Sequence, residues 1–282
     1  MYTTLIQTAD LAASMADPRW AILDCRFELN ATDWGERAYA AAHIPHALYA
    51  HLDRDLAGPM TAASGRHPLP QWADWTATLS RWGIDAEVQV VAYDQGSGAY
   101  AARLWWLLRS VGHTRVAVLD GGYAAWLAAG LPVRADIESR TAATFVARAA
   151  DPATVSAEDV ARALTRREIL LIDARSAERF AGDNESIDRV AGHVPGATNV
   201  PFLGNLDGAG RFLSPAKLAE RWQGVLGARK PSELVSMCGS GVTACHNLLA
   251  LEIAGLSGAR LYPGSWSEWI RDPARPVARG AV

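Results

Sequence analysis

Short apolar runs, bounded by Gly, Asp or Pro, alternate along the chain with segments in which apolar residues recur at helical spacing. The runs have the length and composition typical of buried parallel strands: residues 21–23, 88–93, 115–119, 169–172, 233–237 and 260–261. The helical pattern is clearest at Leu104, Leu107, Leu108 and Val111, and it recurs after residue 242. This alternation predicts an α/β fold built on mainly parallel sheets flanked by helices.

Two serines are predicted to begin helices. Ser156 is followed three residues later by Asp159, which approximates a capping box, and Ser214 precedes a proline, a residue favoured at the first helical position. These signals predict that helices start close to both serines.

The whole pattern occurs twice. Four blocks recur in the same order with small insertions between them: residues 20–26 pair with 169–175, 42–47 with 192–197, 90–98 with 234–242, and 118–122 with 260–264. Ordered recurrence of this kind indicates a tandem duplication of one fold. We therefore predict two similar domains, residues 1–134 and 154–282, joined by a linker of residues 135–153.

The composition excludes several classes of protein. The 282 residues carry 27 basic and 30 acidic side chains, a formal net charge of −3, so nothing indicates a nucleic-acid or membrane-surface partner. No apolar run approaches the roughly 18–20 residues that span a bilayer. The first residues also lack the basic region and apolar core of a signal peptide, so the expected location is the cytoplasm.

The three cysteines, Cys25, Cys238 and Cys245, are widely spread and odd in number, which favours reduced thiols over a disulfide framework. Because no Cys-x-x-Cys pair occurs and the histidines do not cluster with cysteines, no metal site is expected. Cys25 has Ala174 as its counterpart in the second copy, and Cys245 lies about two helical turns beyond Cys238. Both are predicted to serve packing alone.

The segment from Cys238 to Thr243 is the strongest candidate for chemistry. A cysteine at the end of a strand is followed by Gly239, Gly241 and then a helix. Backbone N–H groups therefore converge near the thiol, and the helix N-terminus adds partial positive charge. This environment favours an anion, so the sequence indicates a thiolate nucleophile. The alternative is a buried cysteine at a strand end that serves packing only.

The first copy of this loop carries Asp94 where the second carries Cys238, which predicts a catalytically degenerate first domain and an active second one. Other loops that bind anions do not fit. A cysteine phosphatase would need an arginine at position 244, which is alanine, and a Walker loop would need Gly-Lys-Ser/Thr. The third glycine of a dinucleotide-binding loop is also absent.

Several features together resemble the two-domain rhodanese sulfurtransferases: the tandem halves, the Gly-His-Val-Pro-Gly-Ala block, the Cys-Gly-Ser-Gly-Val-Thr loop and the terminal Gly-Ser-Trp-Ser-Glu-Trp segment. The resemblance covers essentially the whole chain. It implies two tandem rhodanese-like domains, no cofactor, and a Cys238 persulfide that carries the transferred sulfur. It further implies that the donor is bound by the remaining loop residues Gly239, Gly241, Val242 and Thr243.

Within that family the loop, which has no Arg or Lys, is similar to the branch that uses 3-mercaptopyruvate as donor. Thiosulfate is the alternative donor, because residues 188–197 look like the thiosulfate branch. A non-catalytic sulfur-carrier or binding module is the alternative of another class. The resemblance implies a small thiol, cyanide or a reduced thioredoxin-like protein as the sulfur acceptor.

The same resemblance implies roles for five further residues. Ser240, His67 and Asp53 would form a relay beside the nucleophile and protonate the enolate that carbon–sulfur cleavage leaves. Arg179 and Arg189 would bind the substrate carboxylate, because a guanidinium fork matches its two oxygens.

Overall fold

A computed structural model describes residues 1–148 and 153–280 and divides the chain into two compact units. The first unit comprises Met1–Gly58, Pro70–Pro152 and Gly208–Phe212, and the second comprises Pro59–Leu69, Ala153–Asp207 and Leu213–Val282. Residues 149–152, which include the Asp151-Pro152 step of the expected linker, lie outside the described residues. The domain limits 1–134 and 154–282 stay a prediction.

The first unit is built on a parallel sheet with strand order β1-β5-β4-β2-β3. Its strands are β1 Leu5–Ile6, β2 Trp20–Asp24, β3 Ala47–Tyr49, β4 Gln89–Tyr93 and β5 Val116–Leu119. Its helices are α1 Thr8–Ser14, α2 Trp34–Ala41, α3 Trp72–Arg81, α4 Ala101–Ser110 and α5 Gly122–Ala128. The central strands β4 and β5 are buried along their whole length, as the continuous apolar runs require.

The second unit repeats this plan with strand order β7-β6-β8-β9, again parallel throughout. Its strands are β6 Leu170–Asp173, β7 Thr198–Asn199, β8 Leu234–Met237 and β9 Arg260–Leu261. Its α-helices are α6 Ala157–Thr165, α7 Ala177–Ala181, α8 Pro215–Leu226, α9 Thr243–Ile253 and α10 Ser265–Trp269, with short 3₁₀ turns at Phe202–Asn205 and Pro231–Glu233. The predicted α/β architecture with parallel sheets is confirmed.

Both predicted helix starts are confirmed. The Ser156 hydroxyl accepts a hydrogen bond from the backbone N–H of Asp159 at 3.1 Å, and helix α6 begins at the next residue. The Ser214 hydroxyl accepts from the N–H of Lys217 at 3.4 Å, with Pro215 at the first helical position. In each helix the serine satisfies a donor that the first turn would otherwise leave without a partner.

Each unit has its own apolar core between sheet and helices. In the first, Ile22, Val91 and Trp126 are fully buried. In the second, Leu171, Val235 and Trp266 are fully buried, and Trp269 joins the same cluster. Both tryptophans of the last helix therefore serve core packing. None of the helices in the described residues is long and apolar enough to cross a membrane.

The duplication extends to a buried ion pair at the carboxyl end of the two equivalent strands, β2 and β6. Arg26 donates to the Asp24 carboxylate at 2.6 Å and to the carbonyl of Ala42 at 2.7 Å. Arg175 donates to Asp173 at 2.6 Å and to the carbonyl of Gly192 at 2.8 Å. In both copies the carbonyl precedes the histidine of the His-x-Pro block, so the pair joins the strand to that block. The two units are the same fold down to this detail.

Candidate active site

Cys238 directly follows β8 and opens the loop that leads into α9. Its Sγ accepts a hydrogen bond from the backbone N–H of Gly241 at 3.1 Å, so an amide donor faces the sulfur. Gly241 has a φ of +77°, and a Cβ at this position would lie 2.3 Å from the carbonyl oxygen of Pro263. Only glycine fits there, because a side chain would be both strained and in collision with backbone.

The first turn of α10 holds the loop from the other side. The N–H of Cys238 donates to the Ser265 hydroxyl at 3.0 Å, and the N–H of Trp266 donates to the Cys238 carbonyl at 3.0 Å. The N–H of Ser267 donates to the Gly239 carbonyl at 2.9 Å. Ser265 adopts a φ of +54°, which is unusual for a residue with a side chain. Hydrogen bonds within the loop and from α10 therefore fix the backbone around the sulfur.

The first-domain loop shows what this backbone arrangement binds. The Asp94 carboxylate occupies the position of the cysteine and accepts hydrogen bonds from four backbone N–H groups. The distances are 3.0 Å to Gly96, 2.9 Å to Gly98, 2.8 Å to Tyr100 and 3.4 Å to Ala101. Burial raises the pKa of Asp94, and these hydrogen bonds oppose that shift. A loop of this design is an anion nest, as the sequence indicated.

Two of the three predicted relay residues lie together. Nδ1 of His67 and Oγ of Ser240 are 2.7 Å apart, and both side chains are buried. His67 reaches Ser240 because the segment Pro59–Leu69 belongs to the same compact unit as the loop. Asp53 belongs to the other unit, where its backbone N–H donates to Nδ1 of His51 at 3.1 Å. Its place in the relay stays a prediction.

Two guanidinium groups lie over Gly239, the residue after the nucleophile. A Cβ placed on Gly239 would lie 3.0 Å from Nη2 of Arg66 and 3.5 Å from Nη2 of Arg179. Arg179 was expected at the site from the resemblance to the rhodaneses, whereas Arg66 was not. The signal that could have found Arg66 is its position directly before His67, the histidine predicted for the relay.

Both arginines are paired with buried carboxylates. Arg179 binds Glu185 at 3.0 Å and Asp188 at 3.0 Å, and Arg66 binds the other oxygen of Asp188. Burial raises the pKa of Asp188, which the Arg66 guanidinium opposes. Burial also acts to raise the pKa of Glu185, but hydrogen bonds from Arg179 and from backbone N–H groups outweigh it and the pKa is lowered.

The remaining predicted residues have clear positions. Val242 is the N-cap of α9 and Thr243 is its first residue, so both belong to the junction between the Cys238 loop and the helix. The guanidinium of Arg189 donates to the carbonyl of Ile270 at 2.6 Å, at the end of α10. This hydrogen bond gives Arg189 a structural contact at the helix end, and its contact with substrate stays a prediction.

The other two cysteines are buried. Burial raises the pKa of the Cys25 thiol, and the nearby Asp24 and Asp94 carboxylates raise it further, which suppresses its nucleophilicity. The Cys245 thiol, which lies in α9, donates to the carbonyl of Gly241 at 3.3 Å and so links the helix to the loop. In the described part of the chain no group of three or more His, Cys, Asp or Glu side chains is arranged to hold a metal ion.

Comparison with known proteins shows the class. The rhodanese-like domain family matches this chain twice, over residues 7–129 and 156–272. A full-length relative from Pseudomonas aeruginosa, named "Probable 3-mercaptopyruvate sulfurtransferase", is 47% identical over 278 residues, which cover 98% of each chain. The chain belongs to the rhodanese family and carries two copies of its domain.

Further relatives have the same kind of activity in their names. The thiosulfate sulfurtransferase of Rattus norvegicus is 32% identical and covers 99% of this chain and 97% of its own. The solved structure of a 3-mercaptopyruvate sulfurtransferase from Leishmania major superimposes with a TM-score of 0.84 at 32% identity, covering 95% of this chain and 74% of that one. The chain is therefore a sulfurtransferase.

Proposed function

We propose that this enzyme moves a sulfur atom from 3-mercaptopyruvate to a thiol or cyanide acceptor, and that the atom is carried as the sulfane sulfur of a persulfide on Cys238. The observation that carries the proposal is the arrangement within the second unit. The sulfur of Cys238 accepts a backbone N–H at 3.1 Å, and two residues further on Ser240 shares a 2.7 Å hydrogen bond with His67. A nucleophile beside a hydroxyl–imidazole pair suits a donor whose cleavage requires a proton.

In the first half-reaction the Cys238 thiolate attacks the donor sulfur. A sulfur–sulfur bond forms, the carbon–sulfur bond breaks, and its electron pair passes to the donor carbon as an enolate. The Ser240 hydroxyl protonates that carbon to give pyruvate, while Nδ1–H of His67 donates to Ser240 and restores its proton. The thiol hydrogen of the donor stays on the outer sulfur of the persulfide, and His67 regains the proton it gave from solvent, so atoms and charge balance.

In the second half-reaction an acceptor thiolate or cyanide attacks the outer sulfur. The new bond forms to the acceptor, the persulfide bond breaks, and its electron pair returns to Cys238 as the thiolate. The N–H of Gly241, which is already directed at the sulfur, stabilises the negative charge in both halves of the cycle. A reduced thioredoxin-like protein would act by the same chemistry.

The charges above Gly239 favour a singly charged donor. Arg66 and Arg179 carry two positive charges there, and their partners Glu185 and Asp188 carry two negative ones. The balanced cluster offers guanidinium N–H groups to one carboxylate but no excess positive charge to a doubly charged anion. For this reason we prefer 3-mercaptopyruvate to thiosulfate, which would use the same persulfide and release sulfite.

Steady-state kinetics with both donors and cyanide as acceptor tests the proposal. We expect a higher kcat/KM for 3-mercaptopyruvate than for thiosulfate, and no turnover of either donor by Cys238→Ser. A higher kcat/KM for thiosulfate would contradict the choice of donor and favour the rhodanese reaction. Absence of turnover by the wild type with either donor would contradict the catalytic proposal and favour a sulfur-carrier or binding module.

We also propose a cytoplasmic location. All three cysteines lie in the described part of the chain and are buried, and none of them forms a disulfide, which suits a compartment that keeps thiols reduced. Cell fractionation followed by immunodetection checks this, and recovery of the protein outside the cytoplasmic fraction would contradict it.

A further inference from the structure

Residues 138–142, which are part of the expected linker, lie against the amino end of β2 in the first unit. The Arg140 guanidinium donates there to three backbone carbonyls, those of Pro18 at 2.9 Å, Trp20 at 2.7 Å and Trp82 at 3.2 Å. Because the donor is charged, these hydrogen bonds are strong and fix the segment to the unit. The first unit thus holds an irregular segment through one charged side chain.

The charge around that segment matches the arginine. Asp85 and residues 138–142 line one cavity of about 600 Å³. Burial lowers the pKa of Arg140, and the Asp85 carboxylate opposes this shift, so Asp85 stabilises the charged guanidinium. A basic side chain therefore suits this place in the first unit.

The second unit has a counterpart of this cavity, about 580 Å³ in volume, at the amino end of β6. As the recurring sequence blocks align them, residues at equivalent positions line both cavities. The equivalent pairs are Met15 and Leu164, Pro18 and Arg167, Trp20 and Ile169, His46 and Gly196, and Asp85 and Arg229. The same fold therefore builds the same cavity twice.

One wall of the cavity differs between the two copies. In both, the chain pairs with the histidine of the His-x-Pro block, at Arg134 in the first unit and at Ala278 in the second. Beyond Ala278 the chain turns towards Ala181, whose carbonyl accepts the N–H of Gly280 at 2.8 Å. Among the described residues of the second unit, no segment lines the cavity as residues 138–142 line its counterpart.

The charge at the second cavity is reversed. Arg229 stands where the first unit has Asp85, and Arg167 also lines the cavity. Arg229 donates to the carbonyl of Arg167 at 3.1 Å and pairs with Glu233 at 3.1 Å, so its guanidinium is held in place. No acidic side chain is among the described residues of the lining. The complementary ligand group is therefore a carboxylate.

We propose that this cavity binds an irregular segment of a partner protein that carries an acidic side chain between apolar or small ones. The carboxylate accepts hydrogen bonds from Arg229, and the neighbouring side chains pack against Leu164 and Ile169. The segment takes the place that residues 138–142 take in the first unit. Charge-assisted hydrogen bonds give the interaction its specificity, and the apolar lining supplies buried area.

A partner docked here leaves the nucleophile accessible. The cavity lies at the amino end of β6, whereas Cys238 follows the carboxyl end of β8, and the two strands run parallel. The two sites are therefore at opposite edges of one sheet. Docking should leave kcat with 3-mercaptopyruvate unchanged, so the proposal is independent of the proposed function.

Fluorescence anisotropy with two labelled peptides tests the proposal. The first peptide has the sequence of residues 136–143 with Arg140→Glu, and the second has the unaltered sequence. The full chain should bind the Glu peptide saturably and at least about tenfold more tightly than the Arg peptide. Absence of saturable binding of the Glu peptide, or equal Kd values for the two peptides, would overturn the proposal.

Arg229→Glu should invert this preference, because it restores the charge that Asp85 has in the first unit. The variant should bind the Arg peptide about tenfold more tightly than the Glu peptide. Lys217→Glu makes the same change of charge at an exposed residue of α8 outside the cavity, and this control should keep the wild-type preference. An unchanged preference in an Arg229→Glu variant whose far-UV circular dichroism matches the wild type would overturn the proposal. Arg167→Glu, at an exposed residue of the lining, is the second variant and should reduce the preference in the same direction.

Sedimentation velocity tests for a different occupant. A dimer of the wild-type chain that both Arg229→Glu and the Glu peptide dissociate would show that a second copy fills the cavity, which would overturn the assignment to a foreign partner. A monomer, or a dimer that neither change affects, agrees with the proposal.

Discussion

In the proposed reaction, individual side chains near Cys238 have two separate roles, transfer of a proton and control of charge. Ser240 and His67 share a short hydrogen bond of 2.7 Å, which suits delivery of a proton to a carbon leaving group. Arg66, Arg179 and Asp188 set the charge that an incoming donor meets. The two functions can be separated by single substitutions because the two sets of residues share no member.

Replacing Ser240 should affect the two donors differently. Ser240→Ala removes the proposed proton donor, so kcat with 3-mercaptopyruvate should fall by about 10²- to 10⁴-fold. Thiosulfate releases sulfite, which needs no proton, so turnover of thiosulfate by the same variant should fall far less and serves as the internal control. Steady-state assays with both donors measure this, and an equal loss for both would contradict proton delivery by Ser240.

Replacing Asp188 should shift donor preference. Asp188→Asn removes one negative charge from the balanced cluster and leaves Arg66 and Arg179 with an excess positive charge beside Gly239. The KM for doubly charged thiosulfate should then fall by about tenfold, and more than the KM for 3-mercaptopyruvate. Measured KM values that rise for thiosulfate, or that fall equally for both donors, would contradict the charge argument.

The same site predicts a pH dependence that Asp188→Asn should abolish. Burial raises the pKa of Asp188, and the charged groups around it are Arg66, Arg179, Glu185 and Arg175. Protonation of Asp188 removes its charge, so the wild-type KM for thiosulfate should decrease as the pH falls towards that pKa. A decrease of the same size in Asp188→Asn would show that another group titrates.

At the level of elements, the strand–loop–helix segment from β8 to α9 is shaped by backbone constraints that only glycine meets. Gly241 needs a positive φ and lies against the Pro263 carbonyl, whereas Gly224 lies exposed within α8 with open space around it. The two glycines therefore form a matched pair in one unit, one required by the fold and one merely tolerated.

Alanine at these two positions should have opposite effects. Gly241→Ala should lower the free energy of unfolding by about 2–4 kcal/mol, because it adds backbone strain and a steric clash. Gly224→Ala should raise it by about 0.5–1 kcal/mol, the difference in helix propensity. Urea denaturation measures both, and a Gly241→Ala variant as stable as the wild type would contradict the described loop.

The first-domain loop should depend on its own carboxylate. Asp94→Asn replaces an oxygen that accepts backbone N–H groups with an amide nitrogen that cannot, which should cost about 1–3 kcal/mol of stability. Asp136→Asn, at an exposed aspartate of the same unit, is the control and should change stability little. Equal stability of Asp94→Asn and the control in urea denaturation would contradict the anion nest.

Across the molecule, local patterns predicted more of the fold than of the site. Apolar runs located the central strands because those strands are buried on both faces, and the glycine loop was visible because its residues are contiguous. The edge strands β1, β3 and β7 were not predicted, because each has only two or three residues and no strand signal of its own.

What the sequence could not show depends on segments that meet only after folding. Arg66 lies about two hundred positions from Ser267, yet a hydrogen bond between them at 3.0 Å places its guanidinium at the loop. No local pattern marks such a contact. His67 and Arg179 were located only through the resemblance to rhodaneses. A family motif marks residues that come together in the folded protein even when they lie far apart in the sequence.

Of the two equivalent loops, one carries Cys238 and the other carries Asp94. The central claim is therefore that sulfur is carried on Cys238 alone. Mass spectrometry of the intact protein and its peptides after treatment with 3-mercaptopyruvate measures this directly. We expect one added sulfur atom on the peptide that contains Cys238, and none on any peptide of Cys238→Ser. An unmodified wild-type Cys238, or an added sulfur on Cys25 or Cys245 that persists in Cys238→Ser, would contradict the account.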